Sequence, residues 1–296
     1  MHVGQETTEL PTTIDDDDSN ENFYEKQVLK LTTIASVSSI IANILISVTI
    51  IKYKNLRRDV TNYTILHIVL VQIFSLLFDE ILLWFFTYFG TPLPQYHTEF
   101  CAIFVGVRML NAVSFLIIIL LVLNWYFKLY CDESKYSYFC KCHKFLLISI
   151  YLVCVLIFPF LTKLCLRSDV FATFYLVLSF QILMILVSMY MNLVQRCSGR
   201  TSLQNVTDTG LSVANIIIIF CTPAYFFLIL AYYNLFPVYA VLFADVLATG
   251  VFPFVLYYLY KFDRNFQMYF KRLIACQRGG LENETVSYNL IGNIEN

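Results

Sequence analysis

The feature that most limits what this chain can fold into is an apolar run, long enough to cross a lipid bilayer, that keeps recurring. Such runs occupy about residues 28–53, 62–88, 101–130, 144–164, 170–195, 209–233 and 237–260. About 20 apolar residues in a helix cover the roughly 30 Å of a hydrocarbon core. In lipid every backbone N–H and C=O must be satisfied within the protein, and a helix does this within each run. Short polar stretches separate the runs: Lys54-Asn55-Leu56-Arg57-Arg58, Gly90-Thr91-Pro92-Leu93-Pro94, Cys131-Asp132-Glu133-Ser134-Lys135 and Arg196-Cys197-Ser198-Gly199-Arg200. The last division is marked only by Asn234-Leu235-Phe236-Pro237. Fusing those two runs would give a helix of about fifty residues, far too long for one bilayer, so seven spans are expected.

Composition agrees. Only 14% of the residues are charged and 58% are hydrophobic, against about 25% charged in soluble domains. That balance excludes a disordered chain and a nucleic-acid binder, which would need a basic surface. Lys and Arg number 20 and Asp and Glu 21, but the first 25 residues hold eight of the acids and none of the bases. The expected organisation is an acidic arm over residues 1–27, a helical bundle over 28–260, a membrane-surface helix over 261–276 and a tail over 277–296.

Bases set the orientation, because short cytoplasmic loops collect Lys and Arg. With the N-terminus outside, fifteen bases fall on the cytoplasmic side, including Lys52, Lys54, Arg57, Arg58, Lys261, Lys271 and Arg272. Four lie outside (Lys26, Lys30, Lys163 and Arg167) and Arg108 lies within the membrane. N-out and C-in is therefore expected, in the plasma membrane or an internal membrane, with the first span starting insertion. After the last span Phe262, Phe266 and Phe270 recur at helical spacing among Lys261, Arg264, Lys271 and Arg272, as a basic amphipathic helix on the inner leaflet would. Cys276 follows it and is a candidate for acylation.

Four ionisable residues fall inside spans: Asp79 and Glu80 in the second, Arg108 in the third and Asp245 in the seventh. An isolated charge there costs at least about 2.5–3.5 kcal/mol, so these should pair or face water. All four are expected in the outer half. They suit either an outward-facing pocket, with Arg108 paired to Asp245 or to a span-two acid, or an ion pair that only locks helices. Cys101 and Cys165 lie on the outer side, where a bridge would pin the loop after span four to span three; two unpaired thiols are the alternative. Cys131, Cys140, Cys142 and His143 share an inner loop, but their spacing is not a standard zinc pattern and no metal or cofactor is expected.

No protease, phosphate-loop or hydrolase motif accompanies these groups, so an enzyme is not expected. His67, the one histidine in a span, reads as a packed polar residue. The N-terminal arm carries Asp15, Asp16, Asp17 and Asp18, with Tyr24 between Glu21 and Glu25. Such a segment attracts basic ligands, and acidic neighbours make Tyr24 a candidate for sulfation.

Seven spans with this orientation, and Cys101 and Cys165 so placed, resemble the rhodopsin-like G-protein-coupled receptors. The likeness covers about residues 28–275 and is strongest to the chemokine-receptor branch, in particular the divergent copies carried by large DNA viruses. Asn43 resembles the span-one asparagine, Phe220-Cys221-Thr222-Pro223-Ala224-Tyr225 resembles F-W-T-P-Y-N, and Pro253 resembles the proline of N-P-x-x-Y. The departures sit at switch positions. Asn124-Trp125-Tyr126 replaces Asp-Arg-Tyr, with Trp125 or Tyr126 at the arginine position. Gln72 stands for the span-two aspartate, Cys221 for the span-six tryptophan and Phe252 for the asparagine of N-P-x-x-Y. The resemblance implies an all-α seven-helix receptor with a short eighth helix, binding a chemokine or another basic protein. Coupling to a heterotrimeric G protein through the region of Asn124, Trp125 and Tyr126 is expected to be constitutive, altered or absent. A signalling-dead scaffold that binds host membrane proteins for immune evasion, alone or in oligomers, is the second expectation, and a channel the third.

Overall fold

The computed structural model describes residues 17–89, 97–167, 179, 182, 183, 185–194, 209–232 and 238–275; at residues 17–26, 28, 29, 80–89, 97–100, 225, 228, 229, 231, 232 and 238–242 it describes the backbone alone. Among the described residues every regular element is a helix: α1 Asp17–Lys52, α2 Lys54–Arg58, α3 Val60–Phe89, α4 His97–Tyr130 and α5 Glu133–Leu166. Then come α6 Ile185–Val194, α7 Thr209–Tyr232, α8 Val238–Thr249, α9 Val251–Phe262 and α10 Arg264–Ile274. Five stretches are long and apolar enough to cross a membrane: Lys30–Lys52, Val60–Asp79, Cys101–Tyr130, Glu133–Leu166 and Phe243–Phe262. The shorter apolar helices Ile185–Val194 and Thr209–Ala224 fall on the expected fifth and sixth runs.

The packing of α1 shows why such a chain belongs in lipid. Ile34, Val37, Ile41, Ile44, Val48 and Ile51 recur every three or four residues and are exposed, while Ser36, Ser39, Asn43, Ser47 and Thr49 are buried against the bundle. In water that arrangement is inside out. In hydrocarbon the outward apolar face is favourable, because it meets lipid, and of the buried polar groups Ser39 bonds across to Thr249 while Thr49 bonds back to Leu45 of its own helix. The same holds for α5, where Leu152, Val153, Val155, Leu156, Ile157 and Phe160 face outward. The protein is a helical membrane protein on this ground.

One core joins most of the helices: Ile46 and Ile50 from α1, Ile65 and Ile68 from α3, Ile117 and Leu121 from α4, Ala214 and Ile217 from α7, Val255 and Leu259 from α9 and Phe266 from α10. A smaller cluster of Val105, Leu161, Cys101 and Cys165 closes one end of the α4–α5 pair. There the two sulfurs are bonded, with Cα atoms 5.8 Å apart. Cys165 was expected in a loop. It lies instead in the last turn of α5, so the bridge staples two helix ends rather than a loop to a helix.

Three boundaries differ from expectation. Helix α1 begins at Asp17, so Asp17, Asp18 and Tyr24 belong to a helix and not to an irregular arm, while Asp15 and Asp16 lie outside the described residues. Helix α5 begins at Glu133, leaving Cys131 and Asp132 as the whole connection from α4. The expected last run is broken at Gly250 into α8 and α9. A Cβ at Gly250 would stand 3.1 Å from the Val246 carbonyl oxygen of the preceding turn, which is the tight contact at the break, and 3.8 Å from Ala35 Cβ of α1, an ordinary contact. Just beyond, Pro253 has no N–H to give the Thr249 carbonyl four residues back. The hydroxyl of Ser39 on α1 donates to that carbonyl instead.

Helix α10 turns off at Asp263, whose side chain caps it by accepting from the Phe266 N–H at 2.9 Å. Its apolar face, Phe266, Tyr269 and Phe270, is buried and its basic residues lie toward the last turn. Tyr269 packs at a tilt against Tyr53 with ring centroids 4.6 Å apart and accepts a hydrogen bond from Asn55 Nδ2 at 3.0 Å, which ties α10 to the α1–α2 junction and to α2. Cys276 and residues 277–296 lie outside the described residues.

Candidate functional site

Helical periodicity brings polar side chains to one cavity. On α3, Gln72, Ser75, Leu76 and Asp79 follow the i, i+3, i+4, i+7 spacing of one helix face, and on α4 Asn111, Ser114, Phe115 and Ile118 do the same. Ile217 and Cys221 of α7 and Asp245, Ala248 and Thr249 of α8 complete the wall, with Phe252 at the α8–α9 junction. The space is about 70 Å³, enough for a few waters or one side-chain tip.

The walls are held by hydrogen bonds between α3 and α4. Gln72 Nε2 donates to Ser114 Oγ at 3.2 Å, and Ser75 Oγ donates to Asn111 Oδ1 at 3.1 Å. Asp79 and Asp245 both line this cavity, so two carboxylates from sequence-distant helices border one polar space. Arg108 is half-buried on α4 itself, about one turn before Asn111. Its guanidinium lies 5.3 Å from the Phe104 ring centroid. Among the described residues no direct ion pair joins Arg108 to Asp245. The Glu80 side chain lies outside the described residues.

This is a polar site with two carboxylates on its walls and Arg108 on one of its helices. Chemically it can hold an ammonium or guanidinium group between Asp79 and Asp245. The sequence identified Asp79, Arg108 and Asp245 through their charge, but not Ser75, Asn111 or Ser114. Their signal was present as polar residues at helical spacing from Gln72 and Asp79, and it is weak because Ser and Asn are common in membrane helices.

The other singled-out positions are dispersed. Asn43 is fully buried in α1, and no protein group satisfies either amide atom among the described residues. Pro223 lies inside α7, and Pro253 lines a groove on the opposite side of α9 from the cavity. Phe252 and Cys221 border the cavity. At the far end of α4, Asn124 and Trp125 are buried; Asn124 Nδ2 donates to Thr61 Oγ1 at 3.0 Å, and Trp125 packs edge-on to Tyr130. Tyr126 is partly buried and stacks on Tyr130 at 5.3 Å.

A second polar cluster went unread in the sequence. Thr64 Oγ1 and His143 Nε2 share a hydrogen bond of 2.9 Å, and His67 Nδ1 and the Tyr151 hydroxyl share one of 3.0 Å. Together they fasten α3 to α5. His143 turns into the bundle toward Thr64, away from the inner-loop thiols with which it is grouped in sequence. Among the described residues no three His, Cys, Asp or Glu side chains converge as metal ligands would. No family model matches the chain, and no curated protein matches it in sequence.

Proposed function

We propose that this chain is a seven-transmembrane receptor homologue of the chemokine-receptor type, with its N-terminus outside, that binds a basic protein ligand. The observation that carries the reading is the convergence of Asp79 and Asp245 on one polar cavity, one wall of which is the helix that carries Arg108. A basic side chain at the tip of a ligand would enter between the two carboxylates, while Asp15, Asp16, Asp17, Asp18 and a sulfated Tyr24 would hold the ligand's basic body. The Cys101–Cys165 bridge supports the reading by fixing the α4 end that positions Arg108 two turns below it. Seven spans follow if the expected fifth and sixth runs, represented by α6 and α7, cross with the other five.

Binding of labelled basic chemokines to cells expressing the full chain tests this. Neutralising Asp15 to Asp18 as asparagines is preferable to deleting the arm, because α1 begins at Asp17. Asp245→Asn should weaken binding by about tenfold, the scale of one charge-assisted hydrogen bond. No binding across a broad panel, or binding indifferent to both changes, would remove the ligand.

The second reading, a signalling-dead scaffold for host membrane proteins, draws on a specific observation. Asn124 and Trp125, which stand at the coupling region, are both buried. A chain that keeps an acidic cavity but buries two of the three residues there, leaving Tyr126 partly exposed, suits capture better than coupling. Signalling measured proximal to a G protein, with and without Asp245→Asn, separates the two.

A further inference from the structure

On the lipid-facing side of the bundle α1, α9 and α10 enclose an open groove of about 720 Å³. Its walls are apolar, with Ile41 and Leu45 from α1, Leu256 from α9 and Ile274 from α10. Volumes of this order hold a drug-sized or single-chain lipid ligand. What distinguishes the groove from ordinary lipid-facing surface is its polar end. Tyr257 and Tyr260 both line it, and each has an ammonium over its ring. Lys261 Nζ is 5.6 Å from the Tyr257 centroid, and Lys271 Nζ, itself a lining residue, is 5.9 Å from that of Tyr260. Among the described residues neither lysine forms an ion pair. Lys271 therefore lines one end of an apolar slot, and Lys261, whose ammonium lies between the Tyr257 ring that lines the slot and the Phe262 ring at 5.4 Å, stands beside it.

We propose that this groove is a specific site for an anionic glycerophospholipid, with an acyl chain along α1 and α9 and its phosphate between Lys261 and Lys271. Charge complementarity selects the headgroup, and the slot between α1 and α9 selects a chain over bulk lipid. The inference needs only that the protein lies in a bilayer, so it stands or falls independently of the receptor reading.

Native mass spectrometry of the full chain released from detergent tests it, with phosphatidylglycerol and phosphatidylcholine of equal chain length added as probes. The wild type should retain phosphatidylglycerol over phosphatidylcholine by about twenty-five-fold, about fivefold from each lysine near a membrane surface. Lys261→Ala with Lys271→Ala should bring the two lipids close to parity. Ile41→Trp, at an exposed lining position, should lower retention of both. Thermal stability of each variant in detergent reports folding, and the lysine pair is on the surface, so the test survives if the tryptophan variant fails to fold. Equal retention of both lipids by the wild type would overturn the proposal, as would a preference untouched by the lysine changes. So would lipid retention that occurs only in Cys276→Ser, because an acyl group on Cys276 would then be the occupant.

Discussion

Trp125→Arg places an arginine at one of the two positions, Trp125 and Tyr126, that stand for the arginine of the resembled Asp-Arg-Tyr motif, and the packing says that it should fail. The Trp125 side chain is wholly buried between α4 and its neighbours and has Tyr130 5.6 Å away. Removing a buried tryptophan ring costs about 3–5 kcal/mol. An unpaired guanidinium inside the bundle adds at least about 2.5 kcal/mol. The sum approaches the whole stability of a typical domain, about 5–15 kcal/mol. Trp125→Phe is the control. It loses part of the ring contact, but it also removes an indole N–H that has no protein partner among the described residues. Leaving such a donor unmade costs about 1–3 kcal/mol, so the two effects should nearly cancel. Fluorescence-detected size exclusion after a heat step, on detergent-solubilised protein, gives the fraction that stays monodisperse. The Arg variant should lose its peak at far lower temperature than wild type, and the Phe variant should track wild type. An Arg variant as heat-stable as wild type would refute the reasoning, since it would mean that the site has room and partners for a cation.

Three further outcomes follow from the packing. Cys165→Ser opens a bridge spanning 64 residues, worth about 4 kcal/mol for a free chain; because α4 and α5 are already held in the membrane the loss should be smaller, and reductant should lower the melting temperature of wild type to that of the variant while leaving the variant unmoved. Asn192 and Asn215 exchange two hydrogen bonds of 2.8 Å between α6 and α7, so a double-mutant cycle to alanine should show a coupling of about 0.6–1.7 kcal/mol; zero coupling would mean that α6 is not seated there. Burial, and then the nearby Asp59 carboxylate, push the Asp263 carboxyl above its usual range, partly opposed by the backbone N–H groups it caps. The folded protein then binds this proton more tightly than the unfolded chain does, so its contribution to stability grows as pH falls through the folded value toward the unfolded one. Asp263→Asn retains a capping oxygen and should abolish that part of the pH dependence without loss of stability at neutral pH, read from melting temperature against pH.

The α-helical membrane class was legible in the sequence because it is a one-dimensional property. Run length against bilayer thickness and the scarcity of charge need no knowledge of what touches what. Five apolar stretches long enough to span were readable in the same way, and so was an amphipathic helix carrying Phe266 and Phe270, but Lys261 and Phe262, expected on it, end α9 instead, with Phe262 exposed. Likewise Asp79, Arg108 and Asp245 announced themselves, because a charge in an apolar run always demands an explanation. The pairing of Cys101 with Cys165 was readable as a likeness of position, not as a contact.

What the sequence could not decide was partnership. Nothing local says that Ser39 will cover the carbonyl freed by Pro253, or that Thr64 will meet His143 across α3 and α5. Helix ends were misplaced for a related reason. Asp17 to Glu25 and Glu133 to His143 are polar, so hydropathy reads them as outside a span, whereas helix continuation depends on backbone bonds that polar residues make equally well. Which face of each helix meets protein and which meets lipid was likewise settled only by packing, since on α1 serine and isoleucine alternate around one cylinder and either side could have turned inward. The sequence alone thus determined the solvent in which this chain folds. The tertiary structure decided which polar groups that solvent forces together, because in hydrocarbon a lone donor or charge has nowhere else to go.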